Sequence, residues 1–359
     1  MLEPFSGPAA IYGVQFRQGF DWKVDEINKA GGFKVGVDTY MIKPVYGDDK
    51  GVGSEGAKEA ARFVYDEHIH YVHCLNWAAP EPIFIEGKVF LASCATNNFP
   101  SPDKPYRIMT ALASESWYST FWEMGYKFHP EIKKIAEVVP TGAAFEYWKD
   151  ILNRIHAKHG AEVVMFAEYA GGTVDYYPVL TAVVAKNPDA VAISTGAKGD
   201  NDLIIKQIRE LGYKGPLFGP SYGDPASAIA IAGAQAVEGF ASNDPDYNSP
   251  LFPESTRQLY AEFQRRYPGQ AFAVTTYIGY TGTELFVAAM QAAGSIDPDE
   301  VMKVLDDPNF TYTAFGQSGR KLGGYETYGM RRVAPIDVAY SVVENGKKVM
   351  KDVIAGSTP

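Results

Sequence analysis

Four groups of residues in this chain have the types and spacing that chemistry can use. Gly51-Val52-Gly53-Ser54-Glu55-Gly56 matches G-x-G-x-x-G, the pattern that lets a backbone approach a pyrophosphate at a helix start. It follows a second rather than a first strand candidate, and turn glycines with Ser54 as helix N-cap explain the same letters. Gly219-Pro220-Ser221-Tyr222-Gly223 matches the nucleophile-elbow pattern G-x-S-x-G. An α/β-hydrolase needs its base histidine after the serine, yet all six histidines stand at or before His159. That triad order cannot be built, which leaves a loop facing a ligand. His68, His70, His73 and Cys74 are dense enough to suggest a metal. On an alternating strand His70 and Cys74 face one way and His73 the other, so they do not converge, and histidines at turns and helix ends are the plainer reading. Asp48-Asp49, Asp244 with Asp246, and Asp306-Asp307 stand among Gly, Pro and Asn and read as turns rather than catalytic carboxylates. Neither an enzyme nor a bound metal or cofactor is expected.

At 359 residues the chain is long enough for about two domains. An apolar content of 46% marks a folded globular protein. The formal net charge of −10, with no cluster of Lys and Arg, excludes a nucleic-acid binder that relies on phosphate contacts. No apolar run approaches the ~18 residues that cross a bilayer, and no basic-then-apolar leader follows Met1. Only Met1-Leu2-Glu3 stand before the loop Pro4-Phe5-Ser6-Gly7, where a strand usually has about 5–6 residues. The expectation is a native chain that starts further upstream, where an export signal would lie. Cys74 and Cys94, the only cysteines, end two neighbouring strand candidates; they read as small buried hydrophobes, with a disulfide left open.

Strand patterns are expected over 41–46, 70–75, 89–94, 134–139, 162–167, 190–194, 217–218 and 239–242, and helical patterns over 55–65, 114–128, 146–158, 178–185, 201–211 and 226–232. Such alternation implies parallel sheets with right-handed crossovers, which bind ligands at the carboxyl ends of their strands. Segments 97–105 and 243–253, rich in Pro, Asn and Asp, look like crossings between lobes. Helices over 254–267, 274–293 and 298–305 follow, and the last stretch reads as a hairpin, 337–344 and 348–354, about Asn345-Gly346.

The opening residues carry the strongest motif. Ser6-Gly7-Pro8-Ala9-Ala10-Ile11-Tyr12-Gly13 ends a first strand and leaves backbone N–H groups free at a helix start, where a polar ligand can meet them. Phe16, Phe20, Val24 and Ile27 then form one apolar helical face, Gly31-Gly32 stops the helix, and a strand leads to Gly47-Asp48-Asp49. In residues and spacing this unit resembles the extracytoplasmic solute-binding proteins of ABC importers, of the Leu/Ile/Val-binding type. The resemblance covers nearly the whole chain and implies an α/β fold of two Rossmann-like lobes, each a parallel sheet flanked by helices, joined by three crossing strands: the periplasmic binding protein type I fold. The lobes would be 1–112 plus 244–333 and 113–243 plus 334–359, with the ligand in the cleft between them.

In that family the first lobe holds a ligand carboxylate with hydroxyl and N–H groups, and the second closes over it with aromatics and an acidic partner for the α-ammonium. Matched by motif, the resemblance implies ligand contacts from Tyr12, from Trp77 and Ala78 after the third strand, and from Cys94-Ala95-Thr96 after the fourth, with Thr96 the hydroxyl donor. In the second lobe it implies Phe145, Ala197 and Lys198, Ser221 and Tyr222, with Tyr277 from a later helix. Two departures bear on the ligand. Amino-acid-binding members carry a glutamate in the Gly-Pro-Glu loop where this chain has Gly219-Pro220-Ser221, and a buried α-ammonium without that partner would cost several kcal/mol. Trp77 replaces small polar residues with a flat apolar face. The expected solute is therefore a small carboxylate, an aromatic acid before a plain amino acid, with Lys198 available as its counter-charge. The expected role is a periplasmic, monomeric receptor that delivers solute to a membrane permease. A cytosolic sensor of the same fold is the alternative, and a Rossmann-type or hydrolytic enzyme a more distant one.

Overall fold

The computed structural model describes residues 1–7, 9–74, 78–94, 99–111, 114–194, 199–220, 224–356 and 358. The chain forms two compact units, Met1–Ala113 with Phe252–Ile336 and Ser357–Pro359, and Ser114–Leu251 with Asp337–Gly356. In the first unit come β1 (Leu2–Glu3), the hairpin of β2 (Phe33–Val35) and β3 (Asp38–Tyr40), β4 (Gly47–Asp48), β5 (Tyr71–Cys74), β6 (Phe90–Ser93) and β7 (Arg107–Met109). Five of these form a sheet in the order β4-β1-β5-β6-β7, parallel throughout. The second unit starts with β8 (Lys134–Pro140), β9 (Glu162–Tyr169), β10 (Ala190–Ile193), β11 (Leu217–Gly219) and β12 (Ala241–Ser242). After a hairpin in the first unit, β13 (Tyr312–Ala314) with β14 (Gln317–Arg320), the strands β15 (Ile336–Glu344) and β16 (Lys347–Gly356) complete a seven-stranded sheet. Its order is β16-β15-β12-β11-β10-β8-β9, parallel from β12 to β9, with β15 antiparallel to β12.

Both sheets reverse strand order at their first strand: β4 and β5 flank β1, and β9 and β10 flank β8. In open α/β sheets the crevice at the carboxyl ends beside such a reversal is where ligands bind. By that rule the carboxyl ends of β1, β5, β8 and β10 are the candidate positions of each unit.

Local sequence accounts for most elements. All four residues of β6 and of β10 are buried, as continuous apolar runs covered by helices on both faces should be. The helix Ala10–Lys29 buries Phe16, Phe20 and Val24 along its apolar stripe, together with Trp22. It ends where Gly31 and Gly32, both at φ near +90°, donate to Asn28 and Ile27 carbonyls. This helix crosses Val274–Ala293 so closely that a Cβ on Gly19 would collide with the Thr276 carbonyl, and one on Gly279 with that of Phe16. Asn345 and Gly346 take φ of 52° and 68°, as a type I′ turn between β15 and β16 demands.

Two local expectations differ from the structure. Residues 41–46 carry no ladder, and the strand there is confined to β4, because β1 offers only two residues to pair with. Ser54 is not a helix cap: helix Gly53–Ala61 has Val52 in that place, and Asp49 closes the preceding turn by accepting the Gly51 N–H at 2.8 Å. Helix Glu81–Glu86 has Pro80 as its N-cap and Pro82 in the first turn, where a missing N–H breaks no helical bond.

Candidate functional site

In the first unit, Asp48 ties the loop after β1 to the loop after β4. Its carboxylate accepts the N–H of Phe5 at 2.8 Å, the N–H of Ser6 at 3.2 Å, the Ser6 hydroxyl at 2.6 Å and the N–H of Lys50 at 3.0 Å. Partial burial works against the charge, but the Ser6 hydroxyl and these N–H groups outweigh it and hold the carboxyl below its usual range. The acidic pair thus builds turns. At the helix start, the Ala10 and Tyr12 N–H groups donate to the Gly7 and Ala9 carbonyls rather than standing free. Tyr12 itself lies in the first turn and is 39% exposed.

Ala78, exposed, follows the loop after β5, and Cys94, half-buried, follows β6. With Tyr12 these residues stand on the carboxyl side of one parallel sheet. Cys74 and Cys94 are free thiols, and burial pushes both well above the ordinary thiol range. Tyr277 is 1% exposed within helix Val274–Ala293, its ring 5.5 Å from that of Phe315, so it stands in the packing of the first unit. Trp77, Ala95, Thr96, Ala197, Lys198, Ser221 and Tyr222 lie outside the described residues, as does the side chain of Phe145, whose backbone opens helix Ala143–Lys158.

The histidines near β5 separate. His70 is exposed, whereas His73 is buried between Phe20 and Phe286, at ring distances of 5.7 and 4.8 Å. Burial drives the His73 imidazole down to about 3. Among the described residues no group of three His, Cys, Asp or Glu is placed to hold a metal ion. None of their helices is long and apolar enough to cross a membrane.

The second unit holds a buried polar chain that the motifs did not reveal. Glu137, in mid-β8, lies 2.7 Å from His156 Nε2 and accepts the Ser194 hydroxyl at 2.7 Å; His156 Nδ1 is 2.7 Å from the Tyr126 hydroxyl. Glu137 and His156 are fully buried and Ser194 is 2% exposed. A signal existed in the sequence: Glu137 is a charge flanked by Ile135-Ala136 and Val138-Val139, which burial tolerates only with a partner. The Ser194 hydroxyl donates to a carboxylate in the core and, at 2% exposure, is closed off from solvent. Around the next loop, the Trp117 indole N–H donates to the Pro220 carbonyl at 3.1 Å, and Asp224 caps helix Pro225–Ala232 by accepting the N–H of Ala226 and Ser227. This buried chain ties the end of β10 to β8 and β8 to helix Ala143–Lys158.

Comparison with known proteins supplies the family. The family model described as periplasmic binding protein matches residues 1–340. The Leu/Ile/Val-binding protein homolog 3 of Brucella melitensis biotype 1 is 24% identical over 331 residues, covering 88% of this chain and 84% of the relative. Among solved structures, a branched-chain amino acid transporter substrate-binding protein from Streptococcus pneumoniae, in complex with isoleucine, superposes with a TM-score of 0.76 at 20% identity, over 98% of this chain and 97% of that one. A solute-binding protein from R. palustris in complex with benzoate gives 0.74 at 18% identity, over 99% and 96%. The chain belongs to the periplasmic binding protein family, among the solute-binding receptors of ABC transporters that include the Leu/Ile/Val-binding proteins.

Proposed function

We propose that this receptor works outside the cytoplasm, that two lobes close over a small carboxylate and present it to a membrane permease, and that an aromatic acid is preferred to a plain α-amino acid. The observation that carries the preference is Ser221 after Gly219-Pro220, where amino-acid-binding members of the resembling family carry glutamate. An α-ammonium enclosed there would lack its charge partner, a loss of several kcal/mol. An aromatic acid has no ammonium to satisfy. Trp77, Tyr12, Phe145 and Tyr222 would supply ring faces and Lys198 a counter-charge. Proteins of this fold have been seen with isoleucine in one case and benzoate in another, so the architecture accommodates either class. Ligand touching both lobes would favour the closed state by its differential contacts.

The direct test exchanges the charge partner. A Ser221→Glu variant should gain a thermal shift with L-leucine or L-isoleucine and lose its response to benzoate, while the unmodified chain does the opposite. A leucine response in the unmodified chain would show that another residue pairs the ammonium.

A further inference from the structure

The first unit holds a cavity of about 250 Å³ away from the strand ends considered above. It is bounded by residues 41–45, which lead into β4, by residues 69–71 at the start of β5, and by helix Val274–Ala293. It therefore lies toward the amino end of the five-stranded sheet, whereas open α/β sheets bind their ligands at the carboxyl ends. Its wall is apolar and largely aromatic. Phe20, Tyr71 and Phe286 line it, with the Phe286 ring 5.5 Å from that of Tyr71 at 71°, the edge-to-face arrangement that aromatic rings favour. An apolar cavity of roughly 150 Å³ is enough to take benzene, so this one has room for a single ring with a small substituent.

The polar atoms of the wall select among such molecules. The Tyr71 hydroxyl donates to the Ile296 carbonyl at 2.9 Å, and the Thr283 hydroxyl to the Gly279 carbonyl at 2.9 Å. His73 also lines the cavity, 2% exposed, and burial keeps its imidazole neutral. Its Nε2 meets Thr283 Oγ1 at 3.5 Å. With its own proton given to Gly279 that oxygen can only accept, so the imidazole proton sits on Nε2 and Nδ1 is an acceptor. No described residue donates to Nδ1. A buried polar atom without a partner is costly, and in a native protein it calls for a water or a ligand. We propose that this cavity is a second ligand site, for a small neutral phenol whose ring lies among Phe20, Tyr71 and Phe286 and whose hydroxyl donates to His73 Nδ1. A carboxylate would set its charge against that acceptor and the surrounding rings, so the solute proposed above is not the ligand here.

The test is calorimetric titration with phenol and, in parallel, with toluene, which has nearly the same shape and no hydroxyl. One-to-one binding of phenol is expected, with toluene about tenfold weaker, the contribution of one hydrogen bond to a buried acceptor. His73→Phe removes the acceptor and should bring the two probes to the same affinity. Val287→Phe, which sends a ring into the cavity from helix Val274–Ala293, should abolish phenol binding, while Val287→Ala leaves the cavity open and should keep it. Neither Val287 variant should alter the response to benzoate or L-isoleucine, whichever the unmodified chain binds. No binding of phenol, equal affinity for phenol and toluene in the unmodified chain, or phenol binding that survives Val287→Phe in a folded protein would overturn the proposal. Phenol binding in a protein that responds to neither benzoate nor isoleucine would uphold this site and count against the aromatic-acid reading.

Discussion

At the scale of single residues, two buried side chains of the first unit should contribute to its response to pH, in opposite directions. His73 is pushed down to about 3 by burial, with Thr283 Oγ1 3.5 Å from its Nε2. The unfolded imidazole takes a proton below about 6.5 and the folded one does not, so stability falls as pH drops through that window toward 3. His73→Gln should flatten this decline, by up to about 1.4 kcal/mol per pH unit, in urea unfolding at a series of pH values. Glu284 is the converse case. Burial pushes its carboxyl up to about 7, against the pull of Lys23 at 3.1 Å and the Phe315 N–H at 2.8 Å. Its folded form holds a proton that the unfolded form has released, so it lowers stability as pH rises from the usual carboxylate range to 7. Glu284→Gln should remove that loss and leave the acid limb governed by His73. In the second unit, Glu137→Ala would strand His156 without its carboxylate and is expected to cost about 3–5 kcal/mol, read as a shift of the urea midpoint.

At the scale of elements, the tight crossing of Ala10–Lys29 with Val274–Ala293 depends on glycine. Gly279→Ala forces a methyl against the Phe16 carbonyl, so the helices must part; a loss of about 1–3 kcal/mol is expected. At the hairpin turn Asn345→Gly should be close to neutral, whereas Asn345→Val, β-branched at positive φ, should cost more than 1 kcal/mol by roughly the left-handed penalty. Elements were legible in the sequence wherever the signal is local. The apolar run of β10, the stripe Phe16, Phe20 and Val24 with its glycine stop, and Asn345-Gly346 each declare themselves within a few residues. Residues 41–46 show the limit, since their alternation is strand-like but a strand exists only where a neighbour pairs with it, and β1 reaches only Gly47 and Asp48. The site was legible to the same degree. Strand ends could be located, yet Glu137 finds His156 nineteen residues away on another element and Ser194 on a third, and such pairings have no local spacing to betray them.

At the scale of the whole molecule, each of the two α/β units carries the same strand-order reversal, the feature beside which open α/β sheets bind ligands. Membership of the periplasmic binding protein family establishes the class of solute-binding receptors, and the proposed choice of solute rests on the chain's departures within its motifs. Lys198→Ala should weaken binding of an aromatic carboxylate at least fivefold and leave the thermal midpoint of the unliganded protein within a degree, by the roughly 1 kcal/mol or more of a charge-assisted contact. The most direct measurement is calorimetric titration of the purified chain with benzoate and, separately, with L-isoleucine. Saturable one-to-one binding of benzoate with none of isoleucine is the result predicted here. Tight binding of isoleucine with no response to benzoate would contradict the aromatic-acid assignment.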